Sequence, residues 1–455
     1  MSWNFGTLFD SCILDSEPRI VLALSGGPDS IYLFYTLLKA KKNNNTFSFC
    51  TAHFNHKLRD EADEEAEFVK KLSEKYDILH FQTEGDVISY SKEHKKGLEE
   101  SARILRYNYL NQVVREYNGD FIFLGHHMDD QVETILFNMI RGTGLTGLVG
   151  IRERNGLFIR PLLNIKKEEI ISLLDKEGYI YCIDKTNNEI DYTRNKIRHL
   201  LLPLWNEISC KEYPNSIVRL GKIAEETESY IKYKAKEFIN EFCFVSCNFV
   251  LCKIDELKKE HISLRKEVYR LAIEKINGNL TNIKYSNLEN IDNILINNRH
   301  GLCFQLNKKC FAEIAYDNLY IYKKDKNKYV SKELSLGENI INTSLGDMSI
   351  FLKIVDKRKN SNKYTQYIDL DKIDGPIKCR FKNSKDVFKP IGFNGSKKMK
   401  NYFNEVKIPV FLRNGWPLIS DNVDILWVCN HRIADKVKVR NDSKKILEIN
   451  IKNII

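Results

Sequence analysis

The sequence predicts an α/β fold: a parallel-sheet N-terminal domain, a mainly helical middle domain and a small basic β-rich C-terminal domain. Three observations lead there. Up to about residue 165, short apolar runs alternate with amphipathic ones, a pattern that sets parallel strands between covering helices. A long run of period 3.6 then covers residues 216–242, and further helices are expected at 263–276 and 287–296. After about residue 340, short β-rich segments such as 348–355 and 424–428 surround a lysine-rich loop at 389–400. A chain of 455 residues exceeds what one hydrophobic core usually supports, so three domains are expected, at 1–208, 209–335 and 340–455.

The expected strands of the first domain are 20–24, 47–54, 77–82, 121–124 and 157–163, each short and apolar. Between them, helices are expected at 31–40, 61–76, 98–117 and 129–140. Helices on both faces of a parallel sheet leave the carboxyl ends of the strands open to ligands. In the middle domain, residues 301–323 alternate like paired strands, and the polar stretch 323–337 reads as a linker.

Residues Ser25, Gly26, Gly27, Pro28, Asp29 and Ser30 lie between the first strand and the first helix. Two glycines let the backbone turn sharply and approach an anion. Pro28 suits the first turn of a helix, whose free N–H groups and dipole favour a pyrophosphate. The motif is neither G-x-x-x-x-G-K-[ST] nor G-x-G-x-x-G, and taken alone it also fits a simple tight turn.

Two more polar clusters follow strand ends. Residues 53–59 run from His53 to Arg59 and on their own read as a polar loop. The other begins at Gly125 and carries His126, His127, Asp129, Asp130 and Glu133 where a strand passes into a helix. Carboxylates three and four apart on a helix repel by about 0.2–0.5 kcal/mol per pair, although acids in a first turn regain a similar amount from the helix dipole. The cluster therefore fits either a cation or an ammonium group, or helix capping. Arg103 and Arg106 share one helix face, and Arg194 and Arg198 are four apart; arginine forks suit phosphate oxygens but also surface ion pairs.

Composition narrows the classes. The 11 cysteines include no Cys-x-x-Cys, which argues against structural zinc and iron–sulfur sites and for reduced thiols. No stretch is apolar enough to span a bilayer and no signal core opens the chain, so a cytoplasmic protein without a membrane partner is expected. Residues 341–455 carry +11 and residues 1–340 carry −1, the footprint of a polyanion partner, with a solvated lysine-rich surface as the alternative.

The motif Ser-Gly-Gly-x-Asp-Ser resembles that of the pyrophosphatase-loop family, which cleaves ATP to AMP and pyrophosphate. Taken with residues 53–59, 102–107, 127–134, 141–147, 160–163, 184–187, 194–198 and Pro203, it resembles the tRNA(Ile)-lysidine synthase family. The likeness resumes at 389–400, 407–409, Arg413 and Trp427; between 210 and 340 it is only general. The resemblance implies an ATP-dependent ligase that joins L-lysine to the wobble cytidine of isoleucine tRNA with a CAU anticodon. It implies ATP and magnesium (Mg2+) as cofactors, with residues 25–30 on the phosphates and Asp29 and Asp130 near the metal. It also places Asp29 and Glu133 at lysine, Arg103, Arg194 and Arg198 near nucleotide or phosphate, and His127 as the proton-handling group or a helix cap. The oligomer is left open between monomer and homodimer.

Other classes fit the sequence less well. A small-metabolite amidotransferase is disfavoured, since only 24 residues precede the turn and position 2 is Ser, so no fused N-terminal glutaminase is expected. An RNA thiolase lacks a cysteine couple among Cys12, Cys50 and Cys182. A non-enzymatic RNA-binding module would need no clustered carboxylates.

Overall fold

The computed structural model describes residues 17–42, 47–57, 61–182, 193–209, 213–297, 301–324 and 329–452. They form two compact units, Met1–Glu228 and Ser229–Ile455. The first holds a six-stranded sheet in the order β3-β2-β1-β4-β6-β5. Its strands are β1 (Arg19–Ala23), β2 (Ser48–Asn55), β3 (His80–Glu84), β4 (Phe121–Phe123), β5 (Arg154–Asn155) and β6 (Phe158–Ile159). Neighbours from β3 to β6 are parallel, and β5 alone folds back antiparallel on β6.

Burial explains the layering. Ile20 and Leu22 of β1 pack with Phe34, Leu37, Val69 and Leu72, whereas Val21 between them packs with Cys50, Leu110 and Val113. Alternate side chains of one strand thus enter two cores, which requires helices on both faces. Helices α1 (Pro28–Lys42) and α2 (Ala62–Lys75) enter one core and α4 (Leu98–Tyr117) the other, with α3 (Val87–His94) preceding α4 in the chain. After β4 comes α5 (Met128–Ile140), followed by α6 (Leu145–Leu148), α7 (Lys167–Lys176), α8 (Thr193–Lys196), a π-helical turn (Ile197–Leu201) and α9 (Leu202–Ser209). α5 buries Met128, Val132, Ile135 and Leu136 against Ile197, Leu202, Ile217 and Val218, in a cluster separate from both sheet faces. β1 has β2 on one side and β4 on the other, so the order reverses at β1 and opens a crevice at its carboxyl end.

Two strand expectations shift for local reasons. Residues 77–79 close the end of α2, with Asp77 at φ 54° and the Ile78 N–H bonded to Ser73 O, so the strand expected at 77–82 begins at His80. The strand expected at 157–163 stops at Ile159, where Pro161 can donate nothing to a ladder. Helices α3 and α7 were not expected.

The long helix α10 (Tyr213–Phe242) leads into the second unit, which begins within it. There β7 (Cys243–Val245) and β8 (Phe249–Lys253) join β9 (Cys303–Gln305), β10 (Cys310–Ala315) and β11 (Asn318–Lys323) in an antiparallel sheet ordered β7-β8-β11-β10-β9. With it come α11 (Ile254–Lys259), α12 (Ile262–Asn277) and α13 (Tyr285–Ile296), so this segment is helical on one side of a sheet. Val268, Tyr269 and Ile273 of α12 and Ile291 and Leu295 of α13 share a core with Val250, Ala312 and Ile321.

The rest of the unit is β-rich, as expected. After β12 (Lys332–Glu333), one sheet pairs β13 (Gly337–Thr343), β14 (Gly346–Val355) and Ile446–Lys452; another pairs Lys378–Arg380, Leu418–Ser420 and Ile425–Val428. Of the stretch read as a linker, residues 325–328 lie outside the described residues, and Lys332–Glu333 is a short strand paired with Lys378 and Cys379. Residues on both sides of it share one core: Phe249, Tyr320 and Tyr322 are buried in the same cluster as Leu412, Trp416 and Trp427. The acids Asp374, Asp421 and Asp424 converge on Lys436, whose Nζ lies 2.6, 3.4 and 2.8 Å from them.

Burial pushes His431 down to about 4, beside Trp416 with ring centroids 5.6 Å apart. Its folded value lies below the ordinary 6.5, so the unfolded chain binds the extra proton between those two values. Stability supplied by the neutral ring is therefore present above pH 6.5 and lost as pH falls toward 4, by up to about 3 kcal/mol. Thermal unfolding of His431→Gln should show a shallower loss between pH 6.5 and 4.5 than the wild type; parallel curves would contradict the assignment.

Candidate active site

The turn at residues 25–30 joins β1 to α1 at the point where the strand order reverses. Gly26 has φ 91°, a left-handed conformation that side chains disfavour, and its carbonyl accepts the Cys182 N–H at 2.9 Å. The Ser30 hydroxyl donates to Gly27 O at 3.0 Å, receives the Ser25 N–H at 3.2 Å and lies 3.1 Å from Ser25 Oγ. These bonds fix the turn while α1, starting at Pro28, presents its N-terminus. A Cβ on Gly125 would come within 3.1 Å of Ser30 N, so a glycine here lets the end of β4 meet the start of α1. That contact brings the α5 cluster to the turn.

Each acid of the cluster takes a different partner. Asp130 Oδ2 accepts the His127 N–H at 3.0 Å and so caps α5. Asp129 Oδ2 accepts the Lys167 N–H at 2.9 Å, tying α7 to α5. Glu133 receives Arg198 Nε at 2.6 Å and Nη2 at 2.9 Å, a fork that occupies both of its oxygens. Arg198 stands in the π-helical turn Ile197–Leu201.

Buried His127 sits among carboxylates, with Nδ1 3.4 Å from Asp129 Oδ2 and Nε2 3.5 and 3.8 Å from Asp130 and Asp29 Oδ2. Burial alone would push His127 down, but Asp129, Asp130 and Asp29 together raise it. Asp29 is itself raised, chiefly by burial, although His127 and Lys167 oppose the shift. Burial likewise raises Glu133 against the pull of Arg198.

Beside the turn opens a cavity of about 340 Å3 lined by Ser25, Asp29, His53, Asn55, Arg106 and His126 among others. Asp29 Oδ1, Arg106 Nε and His126 Nδ1 are buried without a hydrogen-bond partner. Buried polar atoms are nearly always satisfied, so three orphans on one cavity point to a polar ligand. Burial lowers His126 to about 4, which keeps it neutral, and His53 is fixed by a 2.8 Å bond between Nδ1 and Leu24 O.

Magnesium fits this corner. It seeks hard oxygen donors, and Asp29 Oδ1 is an unpartnered carboxylate oxygen. Asp130 Oδ2 and Asp29 Oδ2 approach the same imidazole nitrogen, at 3.5 and 3.8 Å, so the two carboxylates share this corner.

Comparison with known proteins agrees at both ends. The family model of the PP-loop domain matches residues 3–205, and that of the TilS substrate C-terminal domain matches residues 377–450. The tRNA(Ile)-lysidine synthase of Clostridium tetani is 32% identical over 96% of this chain and 95% of its own. The chain belongs to the tRNA(Ile)-lysidine synthase family. The synthases of Clostridium acetobutylicum, 34% identical over 98% of both chains, and Caldanaerobacter subterraneus, 31% identical over 96% and 94%, agree with it. The pyrophosphatase-loop family uses ATP, and no described helix is long and apolar enough to cross a membrane.

Of the residues singled out in this lysidine synthase family member, the structure gathers Ser25, Asp29, Ser30, His127 and Asp130. Arg103 is exposed, donating to Tyr107 OH at 3.3 Å, and Arg106 of the same helix face lines the cavity instead. Arg194 is paired with Glu99 and lies over the Phe137 ring. Glu133, expected at lysine, has Arg198 as its partner. Residues 58–60, with Arg59, and 184–187 lie outside the described residues. Asn55, Arg106 and His126 stand in segments the sequence marked, but none was given a role in the site; what they share is position, since each follows or faces the carboxyl end of a strand.

Proposed function

We propose that this protein ligates L-lysine to the wobble cytidine of the CAU anticodon of isoleucine tRNA, consuming ATP and releasing AMP and pyrophosphate. The observation that carries the reading is the meeting of the turn at 25–30 with the His127–Asp130 helix start, in a chain that matches lysidine synthases from end to end.

The carbonyl oxygen at cytosine position two is a poor leaving group. It first attacks the α-phosphorus of ATP, and pyrophosphate departs. The deprotonated lysine ε-amine then attacks the activated carbon, and AMP leaves with the oxygen. Residues 25–30 and the α1 N-terminus would bind the phosphates, Arg106 and His126 line the cavity beside them, and Asp29 and Asp130 would hold magnesium, which would neutralise phosphate charge. His127, flanked by three carboxylates, holds a proton at Nε2 beside the phosphates. Glu133 takes the lysine ammonium once the Arg198 guanidinium turns to phosphate. The target base is splayed from its stack to enter, as anticodon loops permit. Mass analysis of nucleosides from that tRNA after incubation with protein, ATP, magnesium and lysine tests this directly; unmodified cytidine would overturn it.

We assign tRNA-body binding to the basic end. Truncation between Asn339 and Ile340 would cut inside β13 and strip Phe249, Tyr320 and Tyr322 of shared core partners, so charge removal is the cleaner test. Lys389, Lys398 and Lys400 are exposed. Their joint change to Gln should weaken tRNA binding roughly tenfold or more and reduce the salt slope by about 2, leaving ATP binding intact. An unchanged slope would make this end a solvated surface.

A further inference from the structure

The loop after α5 carries chemistry that the reacting centre does not use. Arg141 ends α5 with its guanidinium 5.1 Å from the centroid of Phe137, and it makes no ion pair with any described residue. The Arg194 guanidinium lies 5.4 Å from the same ring. One aromatic side chain therefore carries two arginines, one turn along α5 from Glu133.

This loop is exposed but fastened at both ends. Residues 141–146 are solvent-exposed, and a Cβ added at Gly142 or Gly144 would meet nothing within 4 Å. Gly142 N–H donates to Met139 O at 3.0 Å, Asn138 Nδ2 to Gly147 O at 2.9 Å and Thr146 Oγ1 to Glu228 at 2.8 Å. Gln131 Nε2 donates to Val149 O at 2.8 Å, anchoring the far side. The loop thus carries, on a hydrogen-bonded arch, a cation with no ion-pair partner among the described residues. Around it Met139, Ile140 and Leu145 are 47, 60 and 42% exposed, apolar surface of the kind on which riboses and bases rest.

We infer that Arg141 and its loop, with Arg194 beside it, form a backbone clamp for the single-stranded RNA flanking the reacting base. The inference rests on the lysidine synthase reading, because only a macromolecular substrate would extend from the cavity to the far end of α5, about 20 Å away at 1.5 Å per residue. The clamp grips phosphate without reading sequence. Its partner is the RNA strand beside the target base, separate from the tRNA body assigned to the basic end.

The test uses the full chain and isoleucine tRNA. Arg141→Gln should weaken tRNA binding by roughly threefold to tenfold and lower the magnitude of the salt slope by nearly one, with ATP binding and thermal unfolding unchanged. Arg141→Lys, which keeps the charge, should recover most of both. Wild-type affinity and slope in Arg141→Gln would overturn the clamp, as would equal loss in Arg141→Gln and Arg141→Lys, which would mark a packing role on Phe137. Lysidine formation by the wild type is measured in parallel: its absence would refute the functional reading, whereas its presence with unaltered Arg141→Gln binding would refute the clamp alone.

Discussion

Asp29→Ala should abolish pyrophosphate release, by roughly 10²–10³-fold or more, while the protein keeps its fold and its affinity for tRNA. The size of the effect follows from position. Asp29 stands in the first turn of α1 with Oδ1 buried and unpartnered, and its carboxyl is raised by burial. A group held at such a cost contributes little to folding, because desolvation outweighs the help of His127 at 3.8 Å. Its removal should therefore leave the melting temperature unchanged or raise it, the signature of a residue kept for activity. Pyrophosphate release measured with tRNA and ATP, together with thermal unfolding, separates the outcomes. Wild-type release would remove Asp29 from the site, and a large fall in melting temperature would make it a structural residue.

The fold was legible where a strand or helix declares itself locally. Ile20–Leu22 of β1 are buried and apolar, and α4 spans Leu98–Tyr117 as its amphipathic pattern predicts, between Gly97 and Asn118, which closes it at φ 52°. β7 and β8 were missed because the helical period through residue 242 runs straight into them and Phe249–Lys253 is short. The turn at 25–30 was readable because two glycines, a proline and a following helix fit an anion-binding strand end, and the companion segments weighed against the simple tight turn that the motif alone also fits. What sequence could not give was the partner of each charge. Asp129, Asp130 and Glu133 look equivalent along α5, yet they bind the Lys167 amide, the His127 amide and Arg198, choices set by α7 and the π-helical turn. Likewise Arg103 and Arg106 share a face by spacing, and only packing shows that Arg106 turns inward.

Glu133→Gln should raise the lysine requirement more than the ATP requirement, and the Arg198 fork explains how this can be measured apart from folding. The carboxylate is buried and accepts both Arg198 bonds; burial still raises it, while those bonds raise Arg198 against its own burial, so the fork favours the charged guanidinium without fully offsetting the desolvation of the carboxylate. Such a pair is poorly suited to holding the fold together and well suited to exchanging partners. Removing one member of a buried pair costs about 3–5 kcal/mol, and the lower end applies because Arg198 is 30% exposed. Losing a charged hydrogen-bond partner for the lysine ammonium costs about 1.5–3 kcal/mol, or roughly tenfold to a hundredfold in lysine dependence. Arg198→Ala should instead depress adenylation, read as pyrophosphate release, with a smaller change in lysine dependence. If Glu133→Gln, Arg198→Ala and the double variant all lose the same stability and all keep wild-type lysine dependence, the fork is purely structural and the ammonium is held elsewhere.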